Sequence, residues 1–237
     1  MKSTLSACLV SQEEFDEYTT VWTQQLSDPG PVPLSTYFAT PNGKSLLTHV
    51  YLTAEDVIHL ISTVGTVTVK ARFAKQPVDG QPTFTVSLFG ADARNTRTTA
   101  YLAATVPGAK SPVRHVAVAV AEGPVPNCLA MQWITNWQQQ PEKKIDRTLF
   151  EAPDGPLRGY TFLLADFLDT LFPLTEITGE YLRLSFALHQ YYKPGPVAEA
   201  AAATFGLVLD MSITPTLRDL EAGDLFYDIS MPCPSTC

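Results

Sequence analysis

Phe15, Tyr18, Trp22 and Leu26 recur at steps of three and four, which places them on one face of a helix. Ser11 and Glu14 form a capping box ahead of this series, and Glu13, Glu14 and Asp16 suit the positive end of the helix dipole. Asp28-Pro29-Gly30-Pro31 ends it. After the aromatic pair Tyr37-Phe38, Pro41-Asn42-Gly43 predicts a turn. Leu46–Leu52 reads as a strand. Thr53 caps a second helix, with Asp56 three residues on and Val57, Ile58, Leu60 and Ile61 as its apolar face; Gly65 stops it. From Thr66 to Ala74 the pattern alternates: Val67, Val69, Ala71 and Phe73 face one way, Thr68, Lys70, Arg72 and Ala74 the other. Val78–Pro82 is a connecting loop, and Thr83–Phe89 is an antiparallel partner strand. Residues 90–112 are polar and turn-rich, and Val113–Ala121 reads as a further strand.

Gly123-Pro124-Val125-Pro126 marks a boundary, after which the pattern begins again. Asn127 opens a helix with Ala130, Trp133, Ile134 and Trp137 on its face, ended by Pro141. Leu149-Phe150 takes the place of Tyr37-Phe38, and Pro153-Asp154-Gly155 that of Pro41-Asn42-Gly43. A helix at Leu163–Phe172 buries Phe167, Leu168 and Leu171 and stops at Pro173. Glu180–His189 and Thr204–Asp210 form the matching strand pair, joined by a longer loop, Tyr191–Ala203, whose Ala-rich part adds a helical turn. A short helix at Leu217–Glu221 lies in the tail. The offsets between matching residues stay nearly constant: 115 for Trp22 and Trp137, 112 for Gly43 and Gly155, 110 for Asp56 and Asp166, 113 for Phe73 and Phe186. This is what an internal duplication leaves. Two copies are too few for a solenoid and suit a pseudo-two-fold pair. The expected fold is therefore α+β: two βαββ-like units, each preceded by a helix, with a mixed or antiparallel sheet. Residues 1–123 form the first unit and 124–237 the second, either as separate units or packed as one compact domain.

These motifs carry a resemblance. Leu52-Thr53-Ala54-Glu55-Asp56-Val57 and Phe162-Leu163-Leu164-Ala165-Asp166-Phe167 are similar to an F-S-x-E-E-I helix start. Val69–Ala74 and Leu182–Ala187 are similar to a V-R-I-Y-F-A strand. Tyr227-Asp228 and Cys233-Pro234-Ser235-Thr236-Cys237 resemble an aromatic-Asp stretch and a C-P-P-x-C tail, with Ser235 in place of Pro. Together they resemble a family of uncharacterised bacterial proteins, here in duplicated form. The resemblance implies a bacterial α+β protein and brings no activity with it.

A hydrophobic content of 45% with 17% charged residues allows a sizeable core. Net charge is −8, with −2 in residues 1–105 and −6 in residues 106–237. Neither half has the basic excess that nucleic acid or an anionic membrane requires. No apolar run approaches the roughly 20 residues of a membrane span. Leu5-Ser6-Ala7-Cys8 looks like a lipoprotein cleavage site, but Met1–Thr4 cannot supply the apolar region of about 7–15 residues such a signal needs. The expectation is a cytoplasmic protein with free thiols at Cys8, Cys128, Cys233 and Cys237.

Catalytic motifs fail on spacing. Asn42-Gly43-Lys44-Ser45 ends like a phosphate loop, but Phe38 stands where that loop needs its first Gly. Cys233 and Cys237 offer two metal ligands where a structural zinc wants four, and the four histidines lack paired spacing. No G-x-S-x-G elbow occurs. Glu55-Asp56 and Asp166 with Asp169 sit at helix starts, where capping explains acids. No catalytic residue, metal or cofactor is therefore expected. The expected role is a non-enzymatic binding or interaction protein working through the surface between the repeats, with a protein partner or a second copy of the chain as occupant. Lys70, Arg72 and Arg183 on the strand faces opposite the apolar stripe, with His189, Tyr191 and Tyr192, are the candidate lining. A small hydrolase-like enzyme with its site in the same cleft, or an oligomerisation module, is the alternative.

Overall fold

The computed structural model describes residues 9–28, 30–41, 43, 45–107, 127–152, 155–171, 181–191, 202–211, 226–227 and 231–232. In chain order the elements are β1 (Leu9–Val10), α1 (Gln12–Ser27), a 3-10 turn (Leu34–Phe38), β2 (His49–Thr53), α2 (Ala54–Ile61), β3 (Thr68–Val78), β4 (Gln81–Ala91) and β5 (Tyr101–Ala103). Then follow α3 (Asn127–Gln138), 3-10 turns at Glu142–Lys144 and Arg147–Phe150, β6 (Glu151–Ala152), β7 (Gly155–Pro156), β8 (Gly159–Leu163), α4 (Leu164–Leu171), β9 (Tyr181–Tyr191), β10 (Ala202–Met211), β11 (Phe226–Tyr227) and β12 (Met231–Pro232). The class is α+β, and every strand pairing among the described residues is antiparallel.

Helix starts are where local chemistry puts them. The Ser11 hydroxyl accepts from the Glu14 N–H while the Glu14 carboxylate accepts from the Ser11 N–H, closing the capping box on α1. Thr53 caps α2 by accepting from the Asp56 N–H, and its hydroxyl donates to the Asp56 carboxylate. At α4 the Asp166 carboxylate accepts from the Leu163 N–H at 2.8 Å. Both buried aspartates are thus occupied in closing helix ends.

The β3–β4 connection is tighter than a five-residue loop. Asp79 and Gly80 both take positive φ, 50° and 77°, which is the two-residue hairpin turn that Asp-Gly favours. Val78 and Gln81 then pair, so both strands run further than alternation alone predicts. Tyr37-Phe38 and Leu149-Phe150 each close a 3-10 turn. Within the turn-rich stretch 90–112, Tyr101–Ala103 is a strand, pairing with β1 and β4. β9 runs on through Tyr191 and β10 starts at Ala202, so both ends of the expected loop are strand. Val113–Ala121, Leu217–Glu221, Pro173 and the Cys233–Cys237 tail lie outside the described residues.

Pairing crosses between the halves. β2 lies against β9, with Thr53 opposite Tyr181, and β8 lies against β3, with Leu163 opposite Thr68. Each short strand therefore joins the other half's hairpin. A bridge between Tyr51 and Thr105 continues β5 onto β2, and β12 sets Met231 opposite Thr161 on β8. Hydrogen-bonded neighbours run β3–β4–β5–β2–β9–β10–β11, and β12, next in the chain after β11, rests on β8, which returns to β3.

The interior is aromatic. Phe73, Phe84, Phe186 and Phe205 point inward from β3, β4, β9 and β10 and touch edge to face at 5.3–5.6 Å. Trp22 of α1 meets Phe73, Phe84 and Phe150 edge-on; Trp137 of α3 meets Phe38, Phe186 and Phe205. Such pairs add about 0.5–1.5 kcal/mol each beyond their buried area. This cluster draws on both halves of the chain. Earlier in the same helices, Phe15 packs on Phe89 and Tyr101, and Ala130 and Ile134 pack on Ala187 and Val208. These contacts lie on the opposite faces of the strands, so each helix starts outside and ends with its Trp inside.

Candidate functional site

The basic residues on the outer strand faces do not converge. Lys70 is buried on β3, and its ammonium donates to the Thr161 hydroxyl of β8 at 3.1 Å. Arg72, two residues on, stands opposite Ser87 and Gly159. Arg183 is on β9, in the other sheet, opposite Tyr51. His189 sits six residues further along β9, about 20 Å away at the rise of an extended strand, and its ring lies 4.4 Å from that of Trp133. Tyr191 ends β9, and Tyr192 lies outside the described residues.

What does assemble beside Arg183 is a short relay on the β2–β9 seam. The Thr48 hydroxyl lies 2.8 Å from His49 Nδ1, and His49 Nε2 lies 2.6 Å from the Tyr51 hydroxyl. Tyr51 packs edge-on against Tyr181. Burial, then the positive Arg183, pushes the His49 pKa down to about 4. The imidazole is therefore neutral at pH 7, with one nitrogen donating and the other accepting. His189 is likewise pushed down to about 4, by burial. Neither histidine carries charge at neutral pH.

Two cavities among the described residues lie elsewhere, in a trough where the two halves meet. One cavity of about 380 Å³ is lined by Gln25 and residues 30–35 of the first half and by Glu142, Lys143, Ile145, Asp146 and Arg147 of the second. A second, of about 320 Å³, is lined by Leu26, Arg147, Phe150, Glu151, Ala152, Gly155 and Pro156. Arg147 borders both. The walls are built by the segments that follow α1 and α3. Proline begins each: Pro33 leads into the turn Leu34–Phe38, and Pro141 into Glu142–Lys144. Asp146 caps the next turn by accepting from the Thr148 N–H at 2.9 Å and from its hydroxyl. Behind the wall, the Tyr37 hydroxyl donates to Gln25, and Lys75 sits 4.3 Å over the Tyr37 ring. Sequence reasoning reads Pro141 only as a helix stop and assigns no role to Pro33. Their recurrence after both tryptophan helices is the signal that could have marked the trough.

Among the described residues no group of three or more His, Cys, Asp or Glu side chains is placed to hold a metal ion. No described helix is long and apolar enough to cross a membrane. Compared with protein-family models, with curated proteins and with solved structures, the chain matches none.

Proposed function

We propose that this chain is a non-enzymatic binding protein whose ligand occupies the trough between its two halves. The observation that carries the reading is that both trough cavities are walled by both halves and open beside a filled aromatic core. A volume of about 380 Å³ lies in the range of small-molecule sites, roughly 300–1,000 Å³. The lining mixes apolar residues such as Val32, Leu34 and Ile145 with a few charged ones, which suits recognition by shape with a few orienting contacts. The two halves are copies of one ancestral unit, and the trough is where their equivalent post-helix turns face each other. The nearly constant offsets and the reciprocal pairings Thr53–Tyr181 and Leu163–Thr68 support that reading. The bacterial cytoplasm is the setting that the resemblance and the thiol usage favour.

The test is a thermal-shift screen of metabolites and short peptides on the wild type and on Val32→Trp, which fills the trough from an exposed position. Compounds that raise the wild-type midpoint and leave Val32→Trp unmoved support the reading. A full library that moves neither protein, or both equally, refutes it.

A second reading, a small enzyme, rests on one observation: the Thr48–His49–Tyr51 relay beside Arg183, also at a seam between halves. A neutral imidazole bonded to a phenol is a usable acid–base pair. Loss of a measured turnover in Tyr51→Phe, with an unchanged melting midpoint, would favour it.

A further inference from the structure

Arg147 is exposed, lines both cavities of the trough, and makes no side-chain hydrogen bond or ion pair among the described residues. In a chain of net charge −8, with Glu142, Asp146 and Glu151 on the same rims, an arginine without a partner is conspicuous. Asp146 is committed to its own turn, where it accepts from Thr148 twice. The smaller cavity beside Arg147 is lined by the apolar residues Leu26, Phe150, Ala152 and Pro156.

We infer that the trough binds a small monocarboxylate with an apolar tail, its carboxylate paired to Arg147 and its tail seated on Leu26 and Phe150. This rests on the binding reading above and names its ligand class. The guanidinium fork matches a carboxylate with two parallel hydrogen bonds, a geometry that a point charge does not reward. Glu151 sets the limit on ligand charge, because it lines the smaller cavity with Arg147 and a second carboxylate seated there would face a like charge. The cavity of about 320 Å³ sets the limit on length, since it holds a short chain and not a long-chain fatty acid.

Hexanoate is the probe, with hexanol and adipate as controls, titrated into the full chain by calorimetry. One-to-one saturable binding of hexanoate, with hexanol and adipate weaker by about tenfold or more, is the expected result. Arg147→Gln should lose about tenfold in hexanoate affinity, and Arg147→Lys should lose part of it. Because Arg147 has no partner among the described residues, both variants should melt with the wild type, so a loss of binding is not a loss of fold. Absence of saturable hexanoate binding overturns the inference. So does equal binding of hexanol, or an Arg147→Gln variant that binds as the wild type does. The two proposals fail separately: a library compound lost in Val32→Trp while hexanoate fails to bind leaves the trough as a site for another ligand class.

Discussion

The indole N–H of Trp137, on α3, donates to the backbone carbonyl of Leu47, in the segment leading to β2, at 2.9 Å. Trp22 is buried as deeply, yet its indole nitrogen has no partner among the described residues. The two tryptophans occupy matching helix positions and differ in this one bond. Replacing each by Phe should therefore cost unequally. Trp137→Phe removes the bond and leaves the Leu47 carbonyl without that donor, while Trp22→Phe relieves an unsatisfied donor. The gap should be about 1 kcal/mol, read from urea midpoints. Equal losses would contradict it.

Gly206 makes room for His189. A Cβ at position 206 would lie 2.5 Å from His189 Nε2 on the neighbouring strand. Gly206→Ala should destabilise by about 1–3 kcal/mol, through overpacking. His189→Ala in the same chain should recover most of that loss, because the clash is with that one ring. A double variant no better than the single would show that the strain lies in the backbone instead.

Acid should weaken the fold through its histidines. His49 and His189 have folded pKa values lowered to about 4, below the ordinary 6.5. Above pH 6.5 both states are neutral and the stability is fully present. Between 6.5 and about 4 the unfolded chain takes up protons that the folded chain refuses, so stability falls as pH falls. The cost approaches about 3 kcal/mol for each residue at the bottom of that window. Urea midpoints from pH 7 to 4.5 should decline less steeply in His49→Gln and His189→Gln than in the wild type. Parallel declines would remove the histidines from the account.

Thr53 is the cap of α2 and also the end of β2 opposite Tyr181. Thr53→Ala removes the acceptor for the Asp56 N–H and the donor to its carboxylate. The expected loss is about 1 kcal/mol, typical of a helix cap. Thr53→Ser should restore it. Failure of Ser to do so would mean that the methyl group, not the hydroxyl, matters at this strand end.

Features fixed by a few neighbouring residues were legible in the chain. The Ser11–Glu14 box, the Thr53 cap and the inward stripe Val69, Ala71 and Phe73 all stand where spacing places them. Asp79-Gly80 was equally local and was read too loosely, as part of a five-residue loop. Choice of strand partner was not legible. β2 could have joined its own half's hairpin; nothing in His49–Thr53 names β9, and the exchange follows from how two similar halves share one interior. The same holds for the sites. Lys70 and Arg183 share an alternation pattern in the sequence, but strand order puts them in different sheets. The trough arises from turns that each look like a helix stop alone and become walls only when the halves meet.

The binding reading and the enzyme reading place a ligand at different seams, which amide chemical-shift mapping separates directly. The library compound that stabilises the wild type most should be titrated into isotopically labelled protein. The account predicts the largest shifts at Gln25, Ser35, Ile145 and Arg147, around the trough. Shifts centred instead on His49, Tyr51 and Arg183 would contradict it and move the function to the β2–β9 seam.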